Sequence, residues 1–267
     1  MKISRKKIIF VGDVHGRLKL LKKIVSMYPN YLIILLGDLQ DRGPNSKELL
    51  DFIINNKNII AIKGNHEELF EGFMEEDFNS DWISFLANGG IETISSYLPK
   101  NKKVKVINKL YEIEFFFSEY YQTDEFKYEE NPFIKSNYYK NNIKLIKKYI
   151  SYLNKIKKDF IPKRYINFIK NLPLYFKGDN WIATHAPVFE DSLEESLQTK
   201  TESEFLWNRF VPVFEKNVNQ FYGHNGYYRE KIFKNGTSLI CVDDSKNNNL
   251  CGYNLWKKQK VLIEGEV

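Results

Sequence analysis

The sequence predicts an α/β domain that gathers polar chemistry at the carboxyl ends of its strands. Three features carry this expectation: short continuous apolar runs, helix-periodic stretches between the first of them, and glycines with acidic or imidazole side chains after each run. The first run, 7–11, is followed by Leu20, Leu21, Ile24 and Val25 at helical spacing. The second, 31–36, is followed by Leu49, Leu50, Ile53 and Ile54, and the third, 59–62, completes a β-α-β-α-β opening. Runs at 181–184, 218–222 and 238–242 extend the sheet structure. Continuous rather than alternating apolar character means strands covered on both faces.

Between the third and fourth runs the composition changes. The chain has 267 residues and a formal net charge of +6, and its basic excess is concentrated in residues 100–177, which leaves a mildly acidic frame around a basic insert. Residues 101–140 show no steady period and are expected to be irregular, with Phe115, Phe116 and Phe117 arguing for some packing. From 141 to 158, Ile143, Ile146, Ile150 and Leu153 mark one face of a helix whose other face carries Lys140, Lys144, Lys148, Lys155 and Lys158. Pro162 separates it from a second helix marked by Tyr165, Phe168, Ile169 and Leu172.

With 43% hydrophobic and 28% charged residues the chain can build a core and is not expected to be disordered. Its apolar runs are far shorter than the roughly 20 residues of a membrane span, and its start lacks the apolar stretch of an export signal. Cys241 and Cys251 do not make a disulfide framework, so a reducing, cytoplasmic setting is expected. The whole of 1–267 reads as one domain with an insert at about 100–160.

The residues after the strands offer a donor set for divalent metals. Gly12-Asp13-Val14-His15-Gly16 follows the first, Gly37-Asp38-Leu39-Gln40-Asp41-Arg42-Gly43 the second, Gly64-Asn65-His66-Glu67 the third, His185 the fourth and Gly223-His224 the fifth. Carboxylate, amide carbonyl and imidazole are the ligands that hard and borderline cations accept. All four histidines of the chain belong to this set, which satisfied core histidines would have no reason to do. In an extended segment Asp13 and His15 face the same way and can share an ion, whereas the adjacent Asn65 and His66 face opposite ways and suit different tasks.

In their order, GD-x-HG, GD-xx-DRG and GNHE, followed by two isolated histidines, resemble the calcineurin-like metallophosphoesterases, specifically the phosphoprotein phosphatase branch with bacterial and phage Ser/Thr phosphatases and dinucleoside tetraphosphate hydrolases. Trp82, Asn88-Gly89-Gly90, Thr93 and Tyr97, then Asn171-Leu172-Pro173-Leu174-Tyr175 and Leu206-Trp207-Asn208-Arg209, are similar to segments of the prokaryotic branch. The resemblance covers about 6–98 and 163–256 and implies a two-sheet β-sandwich flanked by helices, here with a basic helical insert.

The resemblance further implies two divalent ions, manganese foremost, with iron, zinc or cobalt compatible. It places Asp13 and His15 on the first ion, Asp38 between the two, and Asn65, His185 and His224 on the second. A hydroxide bridging the ions would attack phosphorus directly. His66 is implied as general acid held by Asp41, and Arg42 and Arg209 as phosphate clamps. Two segments depart from the branch: Gly223-His224-Asn225-Gly226 stands for Gly-His-Thr-Pro, and Val242-Asp243-Asp244-Ser245 for Ile-Asp-Thr-Gly. Neither removes a ligand; both fall on the substrate pocket.

The expected function is hydrolysis of phosphoserine or phosphothreonine in proteins. A dinucleoside polyphosphate or a nucleic-acid phosphate end is the alternative substrate, and a nucleic-acid-binding module on an idle phosphatase frame is the reading from another class. The complete donor set argues against the idle frame, and the lysines of the insert are read as a solvated face rather than a nucleic-acid surface.

Overall fold

The computed structural model describes Ile3 and residues 7–75, 77–121, 135–187, 200–209 and 218–265. The opening is the expected one: β1 (Ile8–Val11), α1 (Leu18–Met27), β2 (Leu32–Leu35), α2 (Ser46–Ile54) and β3 (Ile59–Ala61), with the three strands parallel. Next come α3 (Asn65–Met74), α4 (Ser80–Phe85), a π turn (Leu86–Gly90) and α5 (Ile91–Tyr97). The insert supplies α6 (Lys100–Tyr121) and α7 (Asn137–Phe160), followed by α8 (Lys163–Lys170). The second half holds β4 (Tyr175–Lys177), β5 (Trp181–Thr184), α9 (Glu202–Trp207), β6 (Asn219–Tyr222), β7 (Arg229–Ile232), β8 (Ser238–Cys241), β9 (Leu250–Asn254) and β10 (Gln259–Ile263).

The strands form two mixed sheets, ordered β10-β9-β1-β2-β3 and β4-β5-β6-β8-β7. Between them lies an apolar layer in which Phe10 stacks on Phe221 with ring centroids 4.1 Å apart and meets the edge of Trp181. The alternate residues Ile9, Val11, Ile33 and Leu35 face the helices instead. Both faces of the first sheet are therefore covered, which is why its central strands read as unbroken apolar runs. Because β1, β2 and β3 in one sheet and β5, β6 and β8 in the other are each parallel, three strand ends of either sheet converge at one edge of the sandwich.

One expectation is corrected. The segment 101–140 is not irregular over its described part, since residues 100–121 form a single helix and 137–140 begin the next. The helical period was present in Val106, Leu110, Ile113, Phe117 and Tyr120, all buried, but it was masked by Val104, Tyr111 and Phe115, which are exposed on the other faces. Residues 122–134 lie outside the described residues. In α7 the buried face is Ile146, Tyr149, Leu153 and Ile156, while Ile143 is exposed. Lys140, Lys144, Lys147 and Lys148 are exposed. No described helix is long and apolar enough to cross a membrane.

The two insert helices pack on each other through Phe116 on Tyr149 and on the helical side of the main core through Phe117 on Phe78. They also join it through a buried cation. Lys157 donates to the carbonyls of Phe73, at 2.9 Å, and Glu75, at 2.7 Å, and its ammonium lies 3.3 Å from the centre of the Trp82 ring. Replacing it by Met keeps the stem but leaves two carbonyls without their charged donor and removes the cation–π contact. Lys157→Met is expected to cost about 2–3 kcal/mol, read as a lower urea midpoint at constant slope. An unchanged midpoint would mean that this lysine is not what ties α7 to the frame.

Candidate metal centre

The strand ends bring their polar residues to one point through a backbone that ordinary residues avoid. His15, Asp38, Asp41, Arg42 and His224 all have φ between 46° and 68°. This left-handed conformation costs a non-glycine residue on the order of 1–3 kcal/mol and clusters at functional sites. It also changes the reason Asp13 and His15 face one another. They lie on a turn, not an extended segment, and Asp13 Oδ2 is 4.0 Å from His15 Nε2.

Asp38 is the centre of the arrangement. His185 Nε2 lies 3.3 Å from its Oδ1, and His15 Nε2 and His66 Nε2 each lie 3.8 Å from its Oδ2. Two groups of potential ligands share it: His15, Asp38 and His66 on one side, Asp38, His185 and His224 on the other, all buried. Asn65 completes the second group, its Oδ1 being 2.9 Å from both His185 Nε2 and His224 Nδ1. Asp13 touches the first group through His15 and accepts from the His224 backbone N–H at 3.0 Å. Asn65 and His66 do face different partners, as expected of neighbours at the start of α3.

The tautomers are set from outside the cluster. His15 Nδ1 donates to the Gln40 carbonyl at 3.0 Å and His185 Nδ1 to the Leu36 carbonyl at 2.7 Å, so each presents its Nε2 lone pair inward. His66 Nδ1 donates to Asp41 Oδ2 at 2.7 Å. Burial, reinforced by His66, holds His15 well below the usual imidazole range, and burial with His185 beside it lowers His224 to about 3. Burial, Asp243 and Asp38 together raise Asp13. Asp38 itself is lowered: burial works against ionisation, but His185, His66, His15 and His224 outweigh it.

These residues fit divalent ions. Imidazole nitrogens, an amide oxygen and carboxylates converge here, with His185 Nε2 and His224 Nδ1 3.1 Å apart, a set of donor atoms that a divalent cation accepts. The other ring nitrogen of His224 is buried with no hydrogen-bond partner among the described residues.

Around this centre stand residues whose work the motifs did not disclose. Glu67 accepts from the backbone N–H groups of Asp38, Leu39 and Gly64 at 2.8, 2.9 and 2.9 Å, tying the second strand end to the start of α3. A Cβ at Gly64 would strike the Asp38 carboxylate, so glycine is required there. Thr93 Oγ1 accepts from Asp41 N–H at 2.8 Å and donates to Asp41 Oδ1 at 2.6 Å, with Ser46 beside it, and Arg42 N–H donates to the Gly89 carbonyl at 3.2 Å. Gly89 and Thr93, which belong to the segments similar to the prokaryotic branch, thus hold the Asp41-Arg42 turn. Arg42 donates to His15 Nε2 and His66 Nε2, each at 2.9 Å. Arg209, exposed, donates to the His224 carbonyl at 3.0 Å. Arg17 donates to the carbonyls of Asp13, Val14 and Asn249.

A helix-flanked pair of mixed sheets with such a donor cluster at its strand ends defines a metal-dependent phosphoesterase. The chain belongs to the calcineurin-like phosphoesterase family, whose family model matches residues 6–229. It is 38% identical over 85 residues to a zinc-dependent endopolyphosphatase of Saccharomyces cerevisiae, 29% of this chain and 26% of that protein. Over 81 residues it is 35% identical to a Caenorhabditis elegans protein provisionally named a serine/threonine-protein phosphatase, 26% of this chain and 18% of that one. The chain thus spans about a quarter or less of these relatives. A crystal structure provisionally named a diadenosine tetraphosphatase shares the fold, with a TM-score of 0.51 and 13% identity over 100% of this chain and 96% of that one.

If the cluster holds divalent ions, excess Mn²⁺ is expected to raise the wild-type melting temperature by about 5–10 °C, the linkage expected at roughly a hundredfold excess over the dissociation constant for a domain of this size. Asp38→Asn, which replaces the shared carboxylate by an amide, is expected to lose most of that rise and to retain less metal by elemental analysis. Equal rises in both proteins would remove Asp38 from the metal site.

Proposed function

We propose that this chain is a dinuclear-metal phosphohydrolase that transfers a phosphoryl group to water. Asp13 and His15 serve the first ion, Asp38 both, and Asn65, His185 and His224 the second. The observation that carries the proposal is the convergence of four imidazoles, those of His15, His66, His185 and His224, and the Asn65 amide oxygen around one buried carboxylate at the joined edge of two sheets. Two divalent ions bound there supply Lewis-acid polarisation of the phosphoryl oxygens and acidify water; manganese is our choice, with iron, zinc and cobalt compatible with the same mixed donors.

The chain's own side chains do the rest. Arg42 presents two guanidinium nitrogens toward the centre, a fork that suits two phosphoryl oxygens, and Arg209 adds a cation from the His224 side. A water oxygen bonds to phosphorus while the bond from phosphorus to the leaving oxygen breaks. When the Arg42 guanidinium turns from His66 Nε2 to the phosphoryl oxygens, that nitrogen can carry a proton, which it gives to the leaving oxygen; the proton that the water releases restores it. Burial opposes protonation of His66, but the Asp38 and Asp41 carboxylates raise its pKa, and the Asp41 bond fixes the ring so that Nε2 faces the reacting atoms.

Two substrate classes are compatible with this centre. A phosphoserine or phosphothreonine protein rests on the motif resemblance and on the C. elegans relative. A condensed phosphate or nucleotide anhydride is supported by the endopolyphosphatase relative and by the cleft beside the centre. No role is assigned to membranes, and the exposed lysines of α7 are treated as a solvated face rather than a nucleic-acid surface.

Purified protein with Mn²⁺, given an aryl phosphate, a phosphopeptide, a dinucleoside tetraphosphate and a 5′-phosphorylated oligonucleotide, tests the reaction; failure on all four would sink it. His66→Asn is expected to keep its metals and to slow alkyl phosphates by about 100-fold more than an activated aryl phosphate, because only the former needs a proton at the leaving oxygen. Equal slowing would remove the acid role, and loss of metal would make His66 a ligand.

A further inference from the structure

The two places where the chain departs from its family's motifs meet in space. Gly226 stands where the branch carries proline, and Lys246 follows the altered Val242-Asp243-Asp244-Ser245 stretch. Lys246 N–H donates to the Gly226 carbonyl at 3.1 Å, and Gly226 N–H donates to the Asp243 carboxylate. Gly226 has φ +80°, and a Cβ there would come within 2.8 Å of Lys246 Cγ and Cδ. The lysine stem therefore lies across the space that glycine leaves, a course that proline would block. Its ammonium is carried over the Tyr227 ring, 5.1 Å from the centroid.

Lys246 forms part of the wall of a cleft of about 400 Å³ that opens directly from the metal centre, because His15 and Arg42 line it too. Arg17, Ser245 and Asn248 are further lining residues. No carboxylate lines this cleft among the described residues, although Asp13 and Asp38 lie just behind His15. Arg17 is fixed by its three carbonyl partners and adds charge from the wall, and Arg42 and Lys246 line the same cleft. Such a wall of cations with neutral donors attracts an anion that extends beyond the phosphoryl group on the metals. A phosphoserine side chain carries no second phosphoryl group. A condensed phosphate does, since its next phosphoryl group is one bridging oxygen away.

We infer that Lys246, seated by Gly226, forms with Arg42 a subsite for a second phosphoryl group, so that the substrate is a phosphoanhydride chain. The inference rests on the proposed hydrolase reading and gives it a substrate class. Bound this way, the scissile phosphoryl group lies over the metal donors, and the neighbouring one, which leaves, lies between Arg42 and Lys246, where its growing negative charge is met.

The test compares wild type, Lys246→Met and Lys246→Arg with Mn²⁺ on tripolyphosphate, a dinucleoside tetraphosphate, an aryl phosphate and a singly phosphorylated peptide. Lys231→Met, the same charge loss on the exposed strand β7, controls for long-range attraction. For Lys246→Met the ratio of kcat/KM for tripolyphosphate to that for aryl phosphate is expected to fall at least tenfold, mainly through KM, and Lys246→Arg is expected to restore it to within threefold. A fall for the dinucleotide as well extends the subsite to nucleotide anhydrides; a fall for tripolyphosphate alone assigns it to inorganic chains. A ratio changed less than twofold, an equal fall in Lys231→Met, or an equal fall for the phosphopeptide would overturn the inference. If wild type hydrolyses no substrate, the hydrolase reading has failed instead. Calorimetry with methylenediphosphonate against methylphosphonate then still tests the subsite, a tenfold selective loss in Lys246→Met supporting it and no loss overturning it.

Discussion

The structure depends on one electrostatic constraint: a buried carboxylate, Asp38, faced by the Nε2 atoms of His15 and His185, whose ring N–H groups are committed elsewhere. His15 and His185 spend their N–H groups on the carbonyls of Gln40 and Leu36 and turn their other nitrogens inward. Asp13 adds a second carboxylate nearby, accepting from the backbone of His224. Left to itself such a cluster is an unfavourable concentration of acceptors in a low-dielectric interior. Two devices offset part of that cost before any ion binds. The start of α3 presents the His66 N–H to Asp38 Oδ1 at 3.2 Å, at the positive end of the helix dipole, and Glu67 fixes the surrounding backbone through three hydrogen bonds.

The backbone strain follows from the same constraint. A strand that ran on in extended form would send successive side chains to opposite faces, so neighbouring ligands could not share one ion. Turning the chain sharply at His15, Asp38, Asp41, Arg42 and His224 solves this at a local energetic cost on the order of 1–3 kcal/mol for each residue. Two apolar layers sustain it, one between the sheets around Phe10, Trp181 and Phe221, the other between the first sheet and its helices. Ligand placement within about 0.5 Å needs rigid support of this kind. The insert helices contribute to the helical layer, far along the chain from the donors they help to hold.

What could be read from the sequence was whatever announces itself locally. The runs at β1, β2, β3, β5, β6 and β8 were visible because both faces of those strands are covered. The donors were visible because glycine, carboxylate and imidazole recur after each run. Strand β7, Arg229–Ile232, was invisible because every one of its residues is exposed at a sheet edge, and β10 shows only Val261 buried. Strand β9 was missed for another reason: Leu250–Asn254 is wholly buried, but Gly252 and Asn254 interrupt its apolar pattern. The roles of Glu67, Thr93 and Ser46 were hidden because a residue that positions another does so through contacts made only on folding. Thr93 reaches Asp41 across 52 residues of sequence.

This division between local and folded information explains why the departures from the family pattern say more about substrate than the matches do. The matched motifs supply metal donors, and a metal centre that handles phosphorus is indifferent to what the phosphoryl group is attached to. Selectivity must come from the next layer of side chains, on the loops after β6 and β8, where the second sheet reaches the common edge. There the loss of proline at Gly226 and the placement of Lys246 are parts of one change, since the backbone of one binds the other and a side chain at the first would displace the second. Read separately along the sequence, they are two unrelated irregularities. Read in the fold, they belong to one wall of a cleft that Arg42 also lines, and on the reading proposed above the charge of that cleft, rather than the metal centre, selects among phosphates.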